Sequence, residues 1–275
     1  MTEKDMPNFK REIAGVMEKA ALKAGRMLLE KYRKNVRVEF KTAREPVSEV
    51  DKASEEIIVD LILKAFPDHE IFSEETESSI DYERSCELPL WFIDPLDGTL
   101  NFVRGFSFFC VGLGFYDRGV AEAAALYDPM HDELFTAIKG KGAMLNGRPV
   151  HVSSTDRLIQ ALLATGFPFV REEGNDNTDH VKNMVPRCSD LRRTASGLLD
   201  LAYTACGRFD GYFEHELGPH DTGPGVLLVE EAGGRVTDYL GEEYNPFKRD
   251  LCATNGVIHD AVLEVLQQGQ SGLQR

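Results

Sequence analysis

Ile13, Val16, Met17, Ala20, Ala24, Met27 and Leu28 recur at steps of three and four, a stripe that predicts an amphipathic helix from Phe9 onward. Residues 35–46 alternate until Pro46 interrupts them, which suggests a short strand or hairpin. A second stripe at Val50, Ala53, Ile57, Leu61 and Ala65 predicts a helix that stops before Pro67. Ser48 is placed to cap it, with Asp51 at its start. From Leu90 to Phe135 strand formers dominate, over 90–93, 107–116, 119–127 and 133–137. Turns at Asp117-Arg118-Gly119 and Asp128-Pro129-Met130-His131 make this an antiparallel meander, and 140–150 reads as a further hairpin around Asn146-Gly147.

Past residue 151 the pattern alternates between short strands and helices. Strands are expected at Leu158–Thr165, Leu191–Arg193, Gly211–Glu214, 235–238 and 251–254. Helices are expected at Asp176–Val185, 196–206, Thr222–Ala232 (closed by Gly233) and 259–267. Periodicity alone supports a mixed α/β fold. At 275 residues the chain sits near the size where one core divides, so two lobes are expected, 1–150 and 151–275.

Composition narrows the functional classes. With 31 Lys and Arg against 46 Asp and Glu, the formal charge is −15, which argues against a nucleic-acid partner. No apolar run reaches the ~18 residues of a membrane span, and the N-terminal residues carry neither a basic segment nor an apolar one. The five cysteines are odd in number and scattered, which suits reduced thiols better than a disulfide framework. A cytoplasmic location without a membrane partner is the expectation.

The chemistry concentrates at residues 91–105, where an apolar run ends in Asp94-Pro95-Leu96-Asp97-Gly98-Thr99. Pro95 fixes one φ and Gly98 permits a sharp reversal, so both carboxylates can turn toward one point. Converging carboxylates repel unless a proton or cation lies between them. Such hard oxygen donors suit Mg²⁺, together with phosphate oxygens and water.

Residues 94–102 match the pattern D-P-[IL]-D-G-T-x-N-F, and three more stretches match in order: Val47–Asp51, Ile71–Glu75, and His220-Asp221 running into Glu230–Gly234. Over about Ile13 to Val265 the chain resembles the inositol monophosphatase family. The resemblance implies a layered αβαβα sandwich of the inositol monophosphatase and fructose-bisphosphatase type, with the site between two lobes. It implies that Glu74, Asp94, Asp97, Asp221 and the Leu96 carbonyl bind two or three Mg²⁺, with Mn²⁺ as a substitute. Asp51 and Thr99 match the pair that orients a metal-activated water, with Glu75 supporting them. Gly98 and Thr99 match a phosphate-cradling turn, while Ala195, Ser196, Gly197 and Glu214 match positions along the substrate ring.

The implied activity is hydrolysis of inositol 1-phosphate, a small-molecule phosphate ester, by a lithium-sensitive homodimer. Fructose 1,6-bisphosphate, histidinol phosphate and 3′-phosphoadenosine 5′-phosphate are the alternative substrates, and a non-catalytic binding protein on the same fold is the alternative class. Plainer readings coexist at several positions: Asp221 as a helix N-cap, Asp51 as a first-turn acid, Glu214 as a strand-end surface acid, Arg192 and Arg193 as surface cations. The chain departs from the family pattern at Ser73, Leu100, His220 and Gly223-Pro224-Gly225. His220 stands where tryptophan is usual, as a substrate contact or an outer support. Other phosphatase chemistries fail on spacing: the aspartates are Asp-x-x-Asp rather than Asp-x-Asp, and no cysteine has arginine six positions on.

Overall fold

The computed structural model describes residues 6–76, 80–169 and 177–268. Its first helix, α1 (Met6–Lys31), leads through a small antiparallel pair, β1 (Val38–Phe40) and β2 (Pro46–Ser48), into α2 (Glu49–Ala65). The chain then forms β3 (Glu70–Ser73), a short helix α3 (Tyr82–Ser85), β4 (Pro89–Asp97) and α4 (Thr99–Arg104). The meander follows as β5 (Cys110–Asp117), β6 (Val120–Asp128), β7 (Glu133–Ile138), β8 (Ala143–Leu145) and β9 (Arg148–Val150). Strands β3 to β9 make one seven-stranded sheet in sequence order; β3 pairs parallel with β4 and each later neighbour is antiparallel.

A second, five-stranded sheet has the order β11-β10-β12-β14-β13. It comprises β10 (Leu162–Thr165), β11 (Asp190–Arg192), β12 (Gly211–His215), β13 (Arg235–Thr237) and β14 (Asp250–Thr254). Its helices are α5 (Thr178–Met184), α6 (Gly197–Ala205), α7 (Pro219–Thr222), α8 (Val226–Glu231) and α9 (His259–Gln268).

Alternation along the strands stacks these elements into five layers, because successive side chains leave opposite faces of a sheet. Trp91, Ile93, Val111, Leu113 and Phe115 meet Ile13, Met17, Ala24 and Leu28 of α1 and Ile58 and Ile62 of α2. The opposite face, with Leu126 and Phe135, packs on Leu198, Leu201, Val226 and Val229 of α6 and α8, which also cover Tyr212, Leu251 and Ala253 of the second sheet. The far face of that sheet, with Leu163, Phe213 and Cys252, buries Met184 of α5 and Val262 and Leu266 of α9. Each fully buried large side chain contributes about 1.5–3 kcal/mol of hydrophobic stabilisation. The order α, β, α, β, α is the layered sandwich the resemblance implies. All five cysteines are free thiols, and among the described residues no helix is long and apolar enough to cross a membrane.

Four expectations need correction. The helix expected over Thr222–Ala232 is two helices, α7 and α8, because Pro224 has no N–H to donate and its ring crowds the carbonyl four residues back. Asp221 therefore lies inside α7 rather than at the N-cap of a helix, and Pro224 falls between the two helices. The strand at Leu158–Thr165 begins as a 3-10 turn and becomes extended only at Leu162. Strand β3 and the short helices α3 and α4 have no counterpart in the periodicity; at four to six residues they are shorter than the pattern can register.

Candidate active site

Asp94 and Asp97 both lie on β4, three residues apart, yet a regular strand would send residues three apart to opposite faces. The pairing with β5 shows how this is resolved. Asp94 opposes Gly112 and Asp97 opposes Cys110, so three steps on β4 match two on β5. This bulge holds Pro95 and Leu96 and brings the two carboxylates to the same side. Ser54 of α2 donates to the Pro95 carbonyl at 2.7 Å and steadies it from below. Gly98 then reverses the chain with φ +89°, and a Cβ there would come within 2.9 Å of the Phe108 carbonyl, so glycine is required.

One cleft collects residues from separate stretches: Glu74 just after β3, Asp94, Leu96 and Asp97 on β4, Gly98, Thr99 and Leu100 at the start of α4, and Asp221 on α7. Its other walls carry Gly166, Arg193, Ala195, Ser196, Gly197, Asp200, Tyr212 and Glu214. Of the sequence-predicted site residues, Asp51, Glu75 and His220 stand back from the cleft wall. Arg193 lines it, whereas Arg192 pairs with Asp190 at the surface. His220 stacks on Phe72 with ring centroids 6.5 Å apart, and its Nε2 lies 3.5 Å from Asp221 Oδ1. A larger concavity of about 670 Å³ runs along α1, but its lining mixes Lys19, Lys23 and Arg26 with Leu22 and Met27 and gathers no carboxylate cluster.

Each acid is anchored through one oxygen. Asp94 Oδ1 accepts from the Leu96 N–H at 3.0 Å. Asp97 Oδ2 accepts from the Ser196 hydroxyl at 2.6 Å and the Leu198 N–H at 2.8 Å, which ties β4 to the start of α6. Asp221 Oδ2 accepts from the Gly218 N–H at 2.6 Å. Asp94 is almost wholly buried, and burial, reinforced by the charges of Glu74, Asp97 and Asp221, lifts its carboxyl well above the ordinary range. Burial likewise raises Asp97, against the pull of Ser196 and Leu198. Glu74 is raised by burial as well, with His220 and Lys41 opposing.

Lys41 has no counterpart in the motif reading. Its ammonium lies 3.0 Å from Glu74 Oε1 and 2.8 Å from Glu75 Oε1. Burial pulls it down, but the two glutamates outweigh that and hold it above the usual lysine value. It sits in a stretch of mixed charge, and only the β1–β2 hairpin delivers it to the acids. Glu75, raised by burial and lowered by Lys41, touches the lysine rather than the cleft.

Behind the cleft, Thr99 Oγ1 lies 2.7 Å from Asp51 Oδ1 and 3.0 Å from the Leu96 carbonyl. Asp51 Oδ2 also accepts from the Ser48 N–H at 2.8 Å, so this acid serves helix α2 and the threonine together. Fully buried, its carboxyl is raised by burial and drawn back by Ser48 and Thr99. Asp200, a lone acid in an apolar helical run, is a further buried carboxylate on the wall and takes the Thr194 hydroxyl at 2.7 Å. Nothing in its sequence surroundings singles it out.

Whether these groups suit divalent cations is decided by their chemistry. Among the described residues no three Asp, Glu, His or Cys side chains are already close enough to grip one ion together. The donor set nonetheless fits: oxygen ligands only, buried, and mutually repelling in a way that a hard cation relieves. Among the described residues, Asp94 Oδ2, Asp97 Oδ1 and Glu74 Oε2 accept no protein hydrogen bond, so each acid has an oxygen to offer.

The model of the inositol monophosphatase family matches residues 10–271. The chain is 39% identical over 256 residues to a tomato (Solanum lycopersicum) protein named inositol monophosphatase 3, covering 92% of this chain and 96% of that one. It is 41% identical over 248 residues to the Nus factor SuhB of Escherichia coli K12, covering 89% and 92%. Among solved structures it superposes on an inositol monophosphatase from Anabaena with a TM-score of 0.84 at 37% identity, covering 94% and 96%. The extragenic suppressor protein suhB of Bartonella henselae superposes with a TM-score of 0.86 at 36% identity, covering 95% and 99%.

Proposed function

The chain belongs to the inositol monophosphatase family, and from that premise we propose that it is a Mg²⁺-dependent phosphomonoesterase acting on a small polyol phosphate, inositol 1-phosphate first among them. One observation carries this reading: Glu74, Asp94, Asp97 and Asp221, from three separate stretches, open on the same cleft as Glu214 and the Gly98–Leu100 turn.

In this reading the four carboxylates and the Leu96 carbonyl hold two or three Mg²⁺, or Mn²⁺ in their place. When bound, the ions neutralise the acidic field and act as Lewis acids on the phosphate oxygens and the attacking water. The chain's own groups do the positioning. Thr99, whose hydroxyl donates to the Asp51 carboxylate at the shorter of its two contacts, takes a proton from the water that attacks phosphorus as its own passes to Asp51. Asp51, raised by burial, is suited to hold that proton, and as the P–O ester bond breaks the departing alkoxide takes a proton from solvent water. Lys41 keeps Glu74 and Glu75 in place. The backbone N–H groups of Gly98, Thr99 and Leu100 face the phosphate as an anion-binding turn, and Glu214, with the wall at Ala195, Ser196 and Gly197, takes the hydroxyls of the alcohol. The family likeness also supports a homodimer and inhibition by Li⁺ at one cation position.

Phosphate release from inositol 1-phosphate should require Mg²⁺ and vanish with a chelator. Asp94→Asn should lower turnover by more than the roughly 10–100-fold that loss of an outer partner costs. Turnover indifferent to both would end the metal reading. A parallel panel of fructose 1,6-bisphosphate, histidinol phosphate and 3′-phosphoadenosine 5′-phosphate ranks the substrates.

A further inference from the structure

Resting on that reading, we propose that Tyr212 is a positioning residue for substrate recognition: its hydroxyl fixes the Glu214 carboxylate so that one oxygen is presented to a hydroxyl of the bound polyol. The two residues sit two apart on β12 and so share a face, while Phe213 between them enters the opposite core. Tyr212 is buried, and its hydroxyl donates to Glu214 Oε2 at 2.6 Å. A buried phenol that gives its proton to a carboxylate makes a strong, directed bond.

Two glycines close the setting around this pair. A Cβ on Gly197, the first residue of α6, would lie 2.6 Å from the Tyr212 hydroxyl. A Cβ on Gly166, just beyond β10, would lie 2.0–2.2 Å from the Glu214 carboxylate carbon and both its oxygens. The tyrosine tip and the carboxylate are thus pressed between two backbones that carry no side chain at the point of contact. Glu214 Oε2 is spent on the tyrosine. Oε1 accepts no protein donor among the described residues, and Glu214 lines the cleft. When ionised, a carboxylate oxygen held this way accepts a hydroxyl proton and has nothing to donate. It therefore favours an ester whose alcohol carries a further hydroxyl over one whose leaving group is bare.

The test compares wild type with Tyr212→Phe on inositol 1-phosphate and on p-nitrophenyl phosphate, whose leaving group has no neighbouring hydroxyl. Tyr212→Phe should raise KM for inositol 1-phosphate about tenfold, the worth of a hydrogen bond to a charged group, with kcat held within about twofold. KM for p-nitrophenyl phosphate should stay within about twofold. Because Tyr212 acts through Glu214, adding Tyr212→Phe to Glu214→Ala should cost nothing further.

Equal losses on both esters, or full additivity with Glu214→Ala, would overturn the positioning role and leave the phosphatase reading intact. A wild-type protein that releases phosphate from neither ester would remove the phosphatase reading, and this inference with it. Thermal unfolding of each variant, expected within a few degrees of wild type, separates the effect from simple loss of fold.

Discussion

Thr99 and Asp51 are 48 positions apart in sequence and 2.7 Å apart in space, the contact on which the proposed chemistry turns. Removing the hydroxyl in Thr99→Ala should lower kcat by about a hundredfold or more, and Thr99→Ser should restore most of it, since only the hydroxyl is used. Steady-state kinetics on inositol 1-phosphate checks this; an equally active alanine variant would remove Thr99 from the reaction. The neighbouring wall holds one residue under strain. Ala195 adopts φ +64°, a left-handed conformation costly to any residue with a Cβ. It persists because Asn101 Nδ2 donates to the carbonyls of Thr194 and Phe108, at 2.8 and 2.7 Å, and pins the turn. The family resemblance already pairs Thr99 with Asp51, whereas the Asn101 contacts were out of reach of residue patterns: the motif displays Asn101 but not the carbonyls it meets.

Among the elements, α4 is short, and what it holds in place matters more than its own helical bonds. Through Asn101 it fastens the segment ahead of α6, whose first turn in turn supplies donors to Asp97. Asn101→Ala should leave two partly buried carbonyls without their donor and cost about 1–3 kcal/mol. Urea unfolding should show this as a lower midpoint with an unchanged slope. The long elements were legible beforehand because their apolar spacing repeats often enough to be read: α1, α2, the β5–β7 meander and α9 all fall close to where the pattern puts them. The break between α7 and α8 was marked by Gly223-Pro224-Gly225, yet the apolar run on its far side masked it. The bulge in β4 left no periodic trace, although it decides on which side Asp97 emerges.

For the molecule as a whole, the raised carboxyls couple stability to pH and to metal. Asp94, Asp97 and Glu74 bind protons more tightly when folded than when unfolded, and Glu214 is pushed up to about 7 by burial. The folded state therefore holds more of these protons between about pH 4 and 7, and the carboxyl contribution to stability falls as pH rises through that window. Buried His259, pushed down to about 4 by burial, acts in the opposite sense, adding stability above its unfolded value that is lost as pH falls. Mg²⁺ separates the two, because it binds the carboxylates and not this histidine. The rise in Tm on adding Mg²⁺ should be larger at pH 7.5 than at pH 5.5, where protons compete for the same oxygens. A rise equal at both values would place the metal elsewhere.

From residues alone came the alternation of helix and strand, the absence of a long apolar span, and the aspartates that Pro95 and Gly98 set beside one another, because each is written in local spacing and composition. The family likeness added the αβαβα order and the wider set of acids. Only the packed molecule decided that β4 bulges, that Lys41 reaches Glu74 and Glu75, that one helix is two, and that Tyr212 holds Glu214. Those features depend on which backbones approach one another across layers, and no local pattern encodes a distance between strands that are far apart in the chain.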